Sequence, residues 1–332
     1  MTYAPRTHSE AQRVCYFIVH PIAATYARFT AAETMTDAPF QTIEWLGLRF
    51  KVPADWEIVR HSLSPERGSL GLVDRRRERM ELHWTHLERE PDLERMLHDQ
   101  QSRELGAEPG ATLGPLRAPP GWRGFSVTSP TGQALARAVC FDAPSARLVQ
   151  AVIVSGGTDA RRLTRRVLES VTVGRAEQAT RCHAFSLDVT TPPGYRLTHA
   201  TVKPADVSFE FRAQAPGKKE PGPEAVSIRR MGMAEAWYGD DPEKFVRREA
   251  PRVRFRARAE RSYGNHRAFS VEGDEPGERL ARLLGRGHGR RILIFCCPAE
   301  NAVYRISTRS RDRRPVWPDE FRVACCQGAP RA

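Results

Sequence analysis

The sequence predicts an α+β chain of two tandem α/β sandwich domains, each a mainly antiparallel sheet flanked by helices. Three observations carry that expectation. The segment Trp122-Arg123-Gly124-Phe125-Ser126-Val127 returns as His266-Arg267-Ala268-Phe269-Ser270-Val271, 144 residues later. Upstream, Phe50-Lys51-Val52-Pro53-Ala54-Asp55-Trp56 is echoed more loosely by Phe185 through Pro192-Pro193-Gly194-Tyr195. The chain has 332 residues, enough for two domains of roughly 100–200 residues each. Similar pieces in a fixed order mark a duplicated unit.

Residues 1–40 are set aside as a disordered extension or a start codon placed too early. Val14 to Val19 is apolar and reads as a poor signal peptide, which leaves export through a weak N-terminal signal open as the alternative; Glu10 and His20-Pro21 count against it, and Met35 offers a cleaner opening. The first domain is expected over 41–174. Gly47 to Pro53 alternates as a strand, and Pro53 stops it. Short strands follow at Trp56–Val59 and Ser69–Asp74, then a charged turn at Arg75–Arg79. In the next strand Met80, Leu82 and Trp84 share one face. Glu90-Pro91-Asp92 opens a helix to about Leu105, since acidic residues favour the positive end of the helix dipole. Gly106 to Gly121 reads as loop. Three strands, Arg123–Ser129, Ala134–Phe141 and Ala146–Ser155, precede a helix over Ala160–Val171 with an apolar stripe at Leu163, Val167, Leu168 and Val171.

After a linker at 175–182, the second domain is expected over 183–327, with a tail at 328–332. Strands are placed at Phe185–Val189, Val207–Arg212 and Ala225–Met233. Asp241-Pro242-Glu243 starts a helix in the manner of Glu90-Pro91-Asp92. Strands follow at Arg252–Glu260 and Arg267–Val271. Ile292–Cys297 and Ala302–Thr308 match the earlier pair at an offset near 155, so about eleven residues are inserted within Gly277–Arg290. A short terminal helix is expected over Pro318–Cys325.

An aromatic that follows the first strand and a proline, as in Phe50…Pro53…Trp56 and Phe185…Pro192…Tyr195, joins this element order in resembling the Mog/PsbP-like fold. That group includes PsbP, the Mog proteins and the DcrB-like proteins. The resemblance spans most of 43–327 in two copies. It implies a non-enzymatic binding, assembly or chaperone module; adaptors for type VI secretion effectors are among its members.

The formal net charge is +12 and the pI about 9.8, which invites a nucleic-acid or polyanion partner. Only five of the 52 basic residues are Lys, and the Arg residues are spread along the chain, the pattern of solvated faces more than of one binding stripe. A nucleic-acid partner fits the charge and not the scatter. No apolar run reaches the roughly 18 residues of a membrane span.

Candidate residues for a partner surface are Trp56, Trp84, Trp122 and His266, aromatic groups that line a groove if they are not core. Arg286, His288, Arg290 and Arg291, around Gly285–Gly289, are the best local anion site. That stretch lacks the Lys and hydroxyl of a phosphate loop. His83 and His86 flank Trp84 without a further metal ligand at useful spacing. Ser126 and Ser270 lack a nucleophile elbow. Seven Cys include two vicinal pairs, Cys296-Cys297 and Cys325-Cys326. Vicinal strand residues point to opposite faces, which disfavours a shared metal, and small apolar core residues in a reducing cytoplasm are expected. A disulfide between the pairs stays open. No catalytic residue, metal or cofactor is assigned. The expectation is a cytoplasmic, non-catalytic protein that binds a protein partner; the alternatives are an anion or nucleic-acid binder and a Cys-based redox or metal protein.

Overall fold

The structure, a computed structural model, describes residues 39–155, 160–175, 181–214, 221–238, 241–274, 289–310 and 320–326. The chain opens with a hairpin of β1 (Phe40–Trp45) and β2 (Leu48–Pro53), whose central residues Leu46 and Gly47 lie at φ 48° and 81°. Positive φ at both positions is what a tight two-residue hairpin needs to match strand twist. Next come β3 (Glu57–His61), β4 (Arg67–Val73), β5 (Glu78–His86), helix α1 (Leu93–Ala107), β6 (Thr112–Pro115), β7 (Arg123–Thr128), β8 (Ala134–Asp142) and β9 (Arg147–Ser155). Helix α2 (Ala160–Ser170) and β10 (Thr172–Val173) close the first domain. Its strands form a seven-stranded antiparallel sheet, β3-β4-β5-β9-β8-β7-β6, and a small sheet, β1-β2-β10.

The second domain repeats this topology. A hairpin, β11 (Arg181–Ala184) and β12 (Leu187–Thr190), turns at Phe185 and Ser186, again both at positive φ. Then come β13 (Tyr195–Lys203), β14 (Asp206–Gln214), β15 (Pro221–Gly232), α3 (Ala234–Trp237), α4 (Pro242–Glu249), β16 (Arg254–Tyr263), β17 (His266–Asp274), β18 (Gly289–Cys297), β19 (Ala302–Ser310) and β20 (Arg322–Ala324). The sheets run β13-β14-β15-β19-β18-β17-β16 and β11-β12-β20, the first domain's orders carried over strand for strand.

Small irregularities repeat as well. A register shift falls between Ile58 and Arg60 in β3 and between Leu197 and His199 in β13. The β8–β9 and β18–β19 turns both pass through a short 3-10 segment, at Ala143–Ser145 and Pro298–Glu300, and end on a left-handed residue, Ala146 or Asn301. These landmarks make Asp142 the counterpart of Cys297, Arg147 of Ala302, and Trp84–Val149 of Arg230–Tyr304.

In both domains one face of the large sheet packs on a helix, while the other meets the small sheet. Leu93 and Leu97 of α1 join Phe125, Val127 and Val139 in one core; Phe245 and Val246 of α4 join Val271, Ile292 and Ile294 in its equivalent. The opposite faces merge into a single core that runs through both domains, from Trp45, Trp56 and Trp84 to Phe209, Phe295 and Phe321. Equivalent strands touch where the domains meet: β1 lies beside β11 and β3 beside β13. Like touching like is the arrangement of an approximate two-fold axis. His61 reaches the Ala200 carbonyl at 3.3 Å, and the Glu57 carboxylate accepts the Phe185 N–H at 2.9 Å across this junction.

Several expectations are corrected. Helices flank one face of each large sheet as expected, and the other face is covered mainly by a small sheet, β1-β2-β10 or β11-β12-β20, that the expected element order lacks. Phe185 sits in the hairpin turn, so Val189, not Phe185, matches Phe50. Strand β6 lies inside the expected loop, β13 was missed, and β11 begins within the expected linker. Helix α1 starts at Leu93 with Asp92 as its cap, leaving Pro91 outside it. The terminal helix is overturned over 322–324, where β20 pairs with β12: Phe321 and Val323 turn inward, and the ladder satisfies an otherwise open edge. The inserted stretch at 277–288 lies outside the described residues.

Candidate functional site

The tryptophans proposed from the sequence are core. Trp56 and Trp84 are 0% and 1% exposed, and the Trp84 indole N–H donates to the Ser64 carbonyl at 3.0 Å. Trp122 packs half-buried against the same core. Neither fully buried ring can meet a partner. Arg290 and Arg291 do not converge, because neighbours on a strand point to opposite faces: Arg290 donates to Ser307 Oγ at 3.0 Å and Arg291 pairs with Glu272 at 3.2 Å. Arg286 and His288 lie outside the described residues. His83 is engaged by Glu81 at 3.3 Å, and His86 is exposed.

His266 is the exception, for a reason the sequence did not give. Its Nε2 lies 3.2 Å from Cys325 Sγ and 3.4 Å from Cys326 Sγ. With Cys297 these groups place four ligand atoms within 4.8 Å of one another. Each arrives by a different route. His266 opens β17, and the last β17–β18 pair, Ala268↔Phe295, puts it level with Cys297 on the same face. Cys296 points the other way, into the α4 core. Cys325 and Cys326 follow the end of β20, and Cys326 has φ 35°. Off the strand, alternation no longer applies, so both thiols turn to one side. That is where the expectation about vicinal cysteines fails.

The surroundings hold this geometry. The His266 ring stacks on Phe295 (5.6 Å, 9°), which also stacks on Tyr263 and Tyr304. The Tyr263 hydroxyl donates to the Phe321 carbonyl at 2.8 Å and accepts the Val323 N–H at 2.9 Å, fastening the segment that carries Cys325. The Glu300 carboxylate accepts the Cys326 N–H; it also accepts from Tyr304 at 2.5 Å and from Arg230 at 3.4 Å. Burial, then the neighbouring Cys297 and Cys326, pushes the Cys325 thiol up. Burial also pushes Cys297 up, while the Glu300 N–H pulls the other way.

A second feature is the free edge of the second domain. Among the described residues strand β16 pairs only with β17, and Arg256 to Ser262 are all exposed. Arg254, Arg256, Arg258 and Arg261 make it basic. Arg256 and Arg258 are answered by Asp274 and Glu243 at 2.8 and 2.6 Å. The equivalent edge in the first domain, β6, has four residues and ends on Pro115, a blunted edge.

No protein-family model matches this chain, and no curated protein matches it. Among solved structures it is similar to the immunity protein TplEi of T6SS from Pseudomonas aeruginosa. For TplEi complexed with "L" peptide the identity is 10% and the TM-score 0.34, over 86% of this chain and 98% of that one. For the apo protein the identity is 10% and the TM-score 0.33, over 87% and 99%. Likeness at this level establishes neither a common fold nor a common role. No helix among the described residues is long and apolar enough to cross a membrane.

Proposed function

We propose that this chain is a non-catalytic, cytoplasmic protein-binding module of duplicated Mog/PsbP-like domains, and that it takes an acidic, extended segment of its partner as an added strand on β16. The open edge of β16 carries this reading. A strand of ten residues whose outer edge has no partner among the described residues offers a row of backbone donors and acceptors, which is what strand addition uses for affinity. The surrounding guanidinium groups select an acidic partner and steer its approach. The repeat supports the same reading, since the first domain has its equivalent edge shortened and stopped by proline while the second keeps it long.

The test is fluorescence anisotropy with extended peptides that alternate Glu with apolar residues, together with backbone hydrogen exchange. Binding is expected to weaken steeply with salt and to slow exchange in 254–263. The triple variant Arg254→Ser, Arg258→Ser, Arg261→Ser is expected to bind about tenfold more weakly, since three exposed charge contacts of about 0.5 kcal/mol each sum to about 1.5 kcal/mol. Binding that leaves β16 exchange unchanged, or that survives the triple variant, rejects the reading. Preference for nucleic acid over the acidic peptide favours the anion-binding alternative instead.

A further inference from the structure

We propose that His266, Cys297, Cys325 and Cys326 form a four-coordinate structural zinc site that locks the closing strand of the second domain. The inference does not depend on the β16 reading. Three soft sulfur donors and one imidazole nitrogen are a standard closed zinc set. A tetrahedral zinc ion with Zn–S of about 2.3 Å and Zn–N of about 2.0–2.1 Å puts sulfurs about 3.8 Å apart and sulfur about 3.6 Å from nitrogen. The observed spread of no more than 4.8 Å, with His266 Nε2 at 3.2 and 3.4 Å from two sulfurs, needs only a small adjustment to reach that figure. With all four positions supplied by the protein, no open position remains for substrate, so the role is structural.

The first domain shows what the site replaces. There β10 is pinned by a cation the chain itself supplies. Arg147 is 3% exposed, and its guanidinium donates to the carbonyls of Leu46 at 2.8 Å, Pro65 at 2.7 Å and Gly174 at 3.1 Å. Its counterpart in the second domain is Ala302, which cannot do this. Strand β10 pairs Thr172 with Arg49 and Val173 with Leu48, whereas β20 pairs Ala324 with Asp188. Continuing that register matches Val173 and Gly174 to Cys325 and Cys326. So where the first domain has Val173, Gly174 and Asp142, the second has three Cys, and where the first has a buried guanidinium, the second has alanine. A bound zinc ion would fasten the same end of the same strand by coordination to three thiolates and an imidazole, where the first domain uses hydrogen bonds from a guanidinium. The Arg230–Tyr304–Glu300 group stands where the first domain has Trp84, Val149 and Ser145, and it orients Cys326 through its backbone N–H. Outer partners of this kind hold metal ligands in place.

The full chain, expressed with zinc in the medium and purified without chelator under reducing conditions, is expected to hold close to one zinc per chain by plasma mass spectrometry. Cobalt added to metal-free protein is expected to give the strong ligand-field bands of a tetrahedral site and thiolate-to-metal charge transfer. Cys326→Ser, at an exposed position outside the core, is expected to weaken cobalt binding at least tenfold. Cys296→Ser, one residue from a ligand but on the other face, should leave stoichiometry and spectrum unchanged. Zinc removal should speed hydrogen exchange in 322–326 and leave 172–174 unaffected. Stoichiometric iron or copper in place of zinc, a Cys297 disulfide to Cys325 or Cys326 in the reduced preparation, an octahedral cobalt spectrum, or equal losses in the Cys326 and Cys296 variants would each overturn the assignment.

Discussion

Trp45→Ala tests whether the two domains are one cooperative unit. Trp45 is fully buried at the domain junction, with its ring 5.1 Å from His61 and 5.9 Å from Phe209 and its indole N–H donating to Ser62 at 3.0 Å. Truncating a buried tryptophan costs about 3–5 kcal/mol. The two domains, over 41–327, have an unfolding entropy of about 0.6 kcal/mol/K if they unfold as one, at about 2.1 cal/mol/K per residue. The expected fall in Tm is therefore about 5–8 °C. If the domains unfolded separately, the same loss would fall on half the entropy and the affected transition would drop about twice as far, roughly 10–17 °C. Differential scanning calorimetry of the full chain distinguishes the two. The continuous core predicts one transition, moved by the smaller amount. Two transitions, with only one displaced, would refute a shared core.

Other perturbations probe single contacts. A methyl group on Gly124 would meet the Arg137 carbonyl at 2.1 Å, so Gly124→Ala is expected to lower stability by about 1–3 kcal/mol in urea denaturation. Gly106 lies in α1 with nothing within 4 Å of the added methyl, so Gly106→Ala should instead stabilise by about 0.5–1 kcal/mol. Arg147→Met leaves three carbonyls without this donor and should cost about 1–3 kcal/mol for each that stays buried and unpaired, with faster hydrogen exchange at 172–174 than at 322–324. Burial pushes the Cys140 and Cys182 thiols up to about 12, reinforced by Asp142 at the first and by Glu44 at the second. Both stay neutral in the native state while an unfolded thiol ionises above about 8.5, so their contribution is complete below that pH and is lost as pH rises towards 12. Iodoacetamide at pH 8.5 should leave both unlabelled until urea is added; labelling at the unfolded rate in native buffer would contradict this. His61 and His183 move the other way, lowered by burial. Stability that they contribute is present above about pH 6.5 and falls as acid protonates the unfolded chain first, which a pH series of denaturation midpoints will show.

Much of the fold was legible because it rests on local pattern. Alternation located β5, β7, β8, β9, β18 and β19, and Asp241-Pro242 located α4, since cap chemistry and period are properties of a few neighbouring residues. The echo of Trp122–Val127 in His266–Val271 does mark equivalent strands, β7 and β17. Its register is not equivalent: Phe125 pairs with Arg137, whereas Phe269 pairs with Ile294, two residues beyond the matching position. A slip of two keeps every side chain on its face, so Phe125 and Phe269 both still face the helix, and sequence pattern has no means to detect it. The missed elements are short or strained. Strands β10 and β20 have two and three residues, too few for a period, and Leu46, Phe185 and Ser186 take positive φ without being glycine.

The candidate sites divide along the same line. The sequence by itself determined that a domain is repeated, that the second copy alone has the vicinal cysteines, and that Trp122 and His266 head the echoed six-residue segments. Each is a fact about residue order. Only the tertiary structure decided which tryptophans are core, that Cys296 turns away from Cys297, and that Cys325 and Cys326 fall beyond a strand end and meet His266. Those outcomes depend on pairing between segments 28 to 60 residues apart and on where one short strand stops. Direction and reach in space are set by backbone pairing across the fold, and spacing along the chain does not encode them.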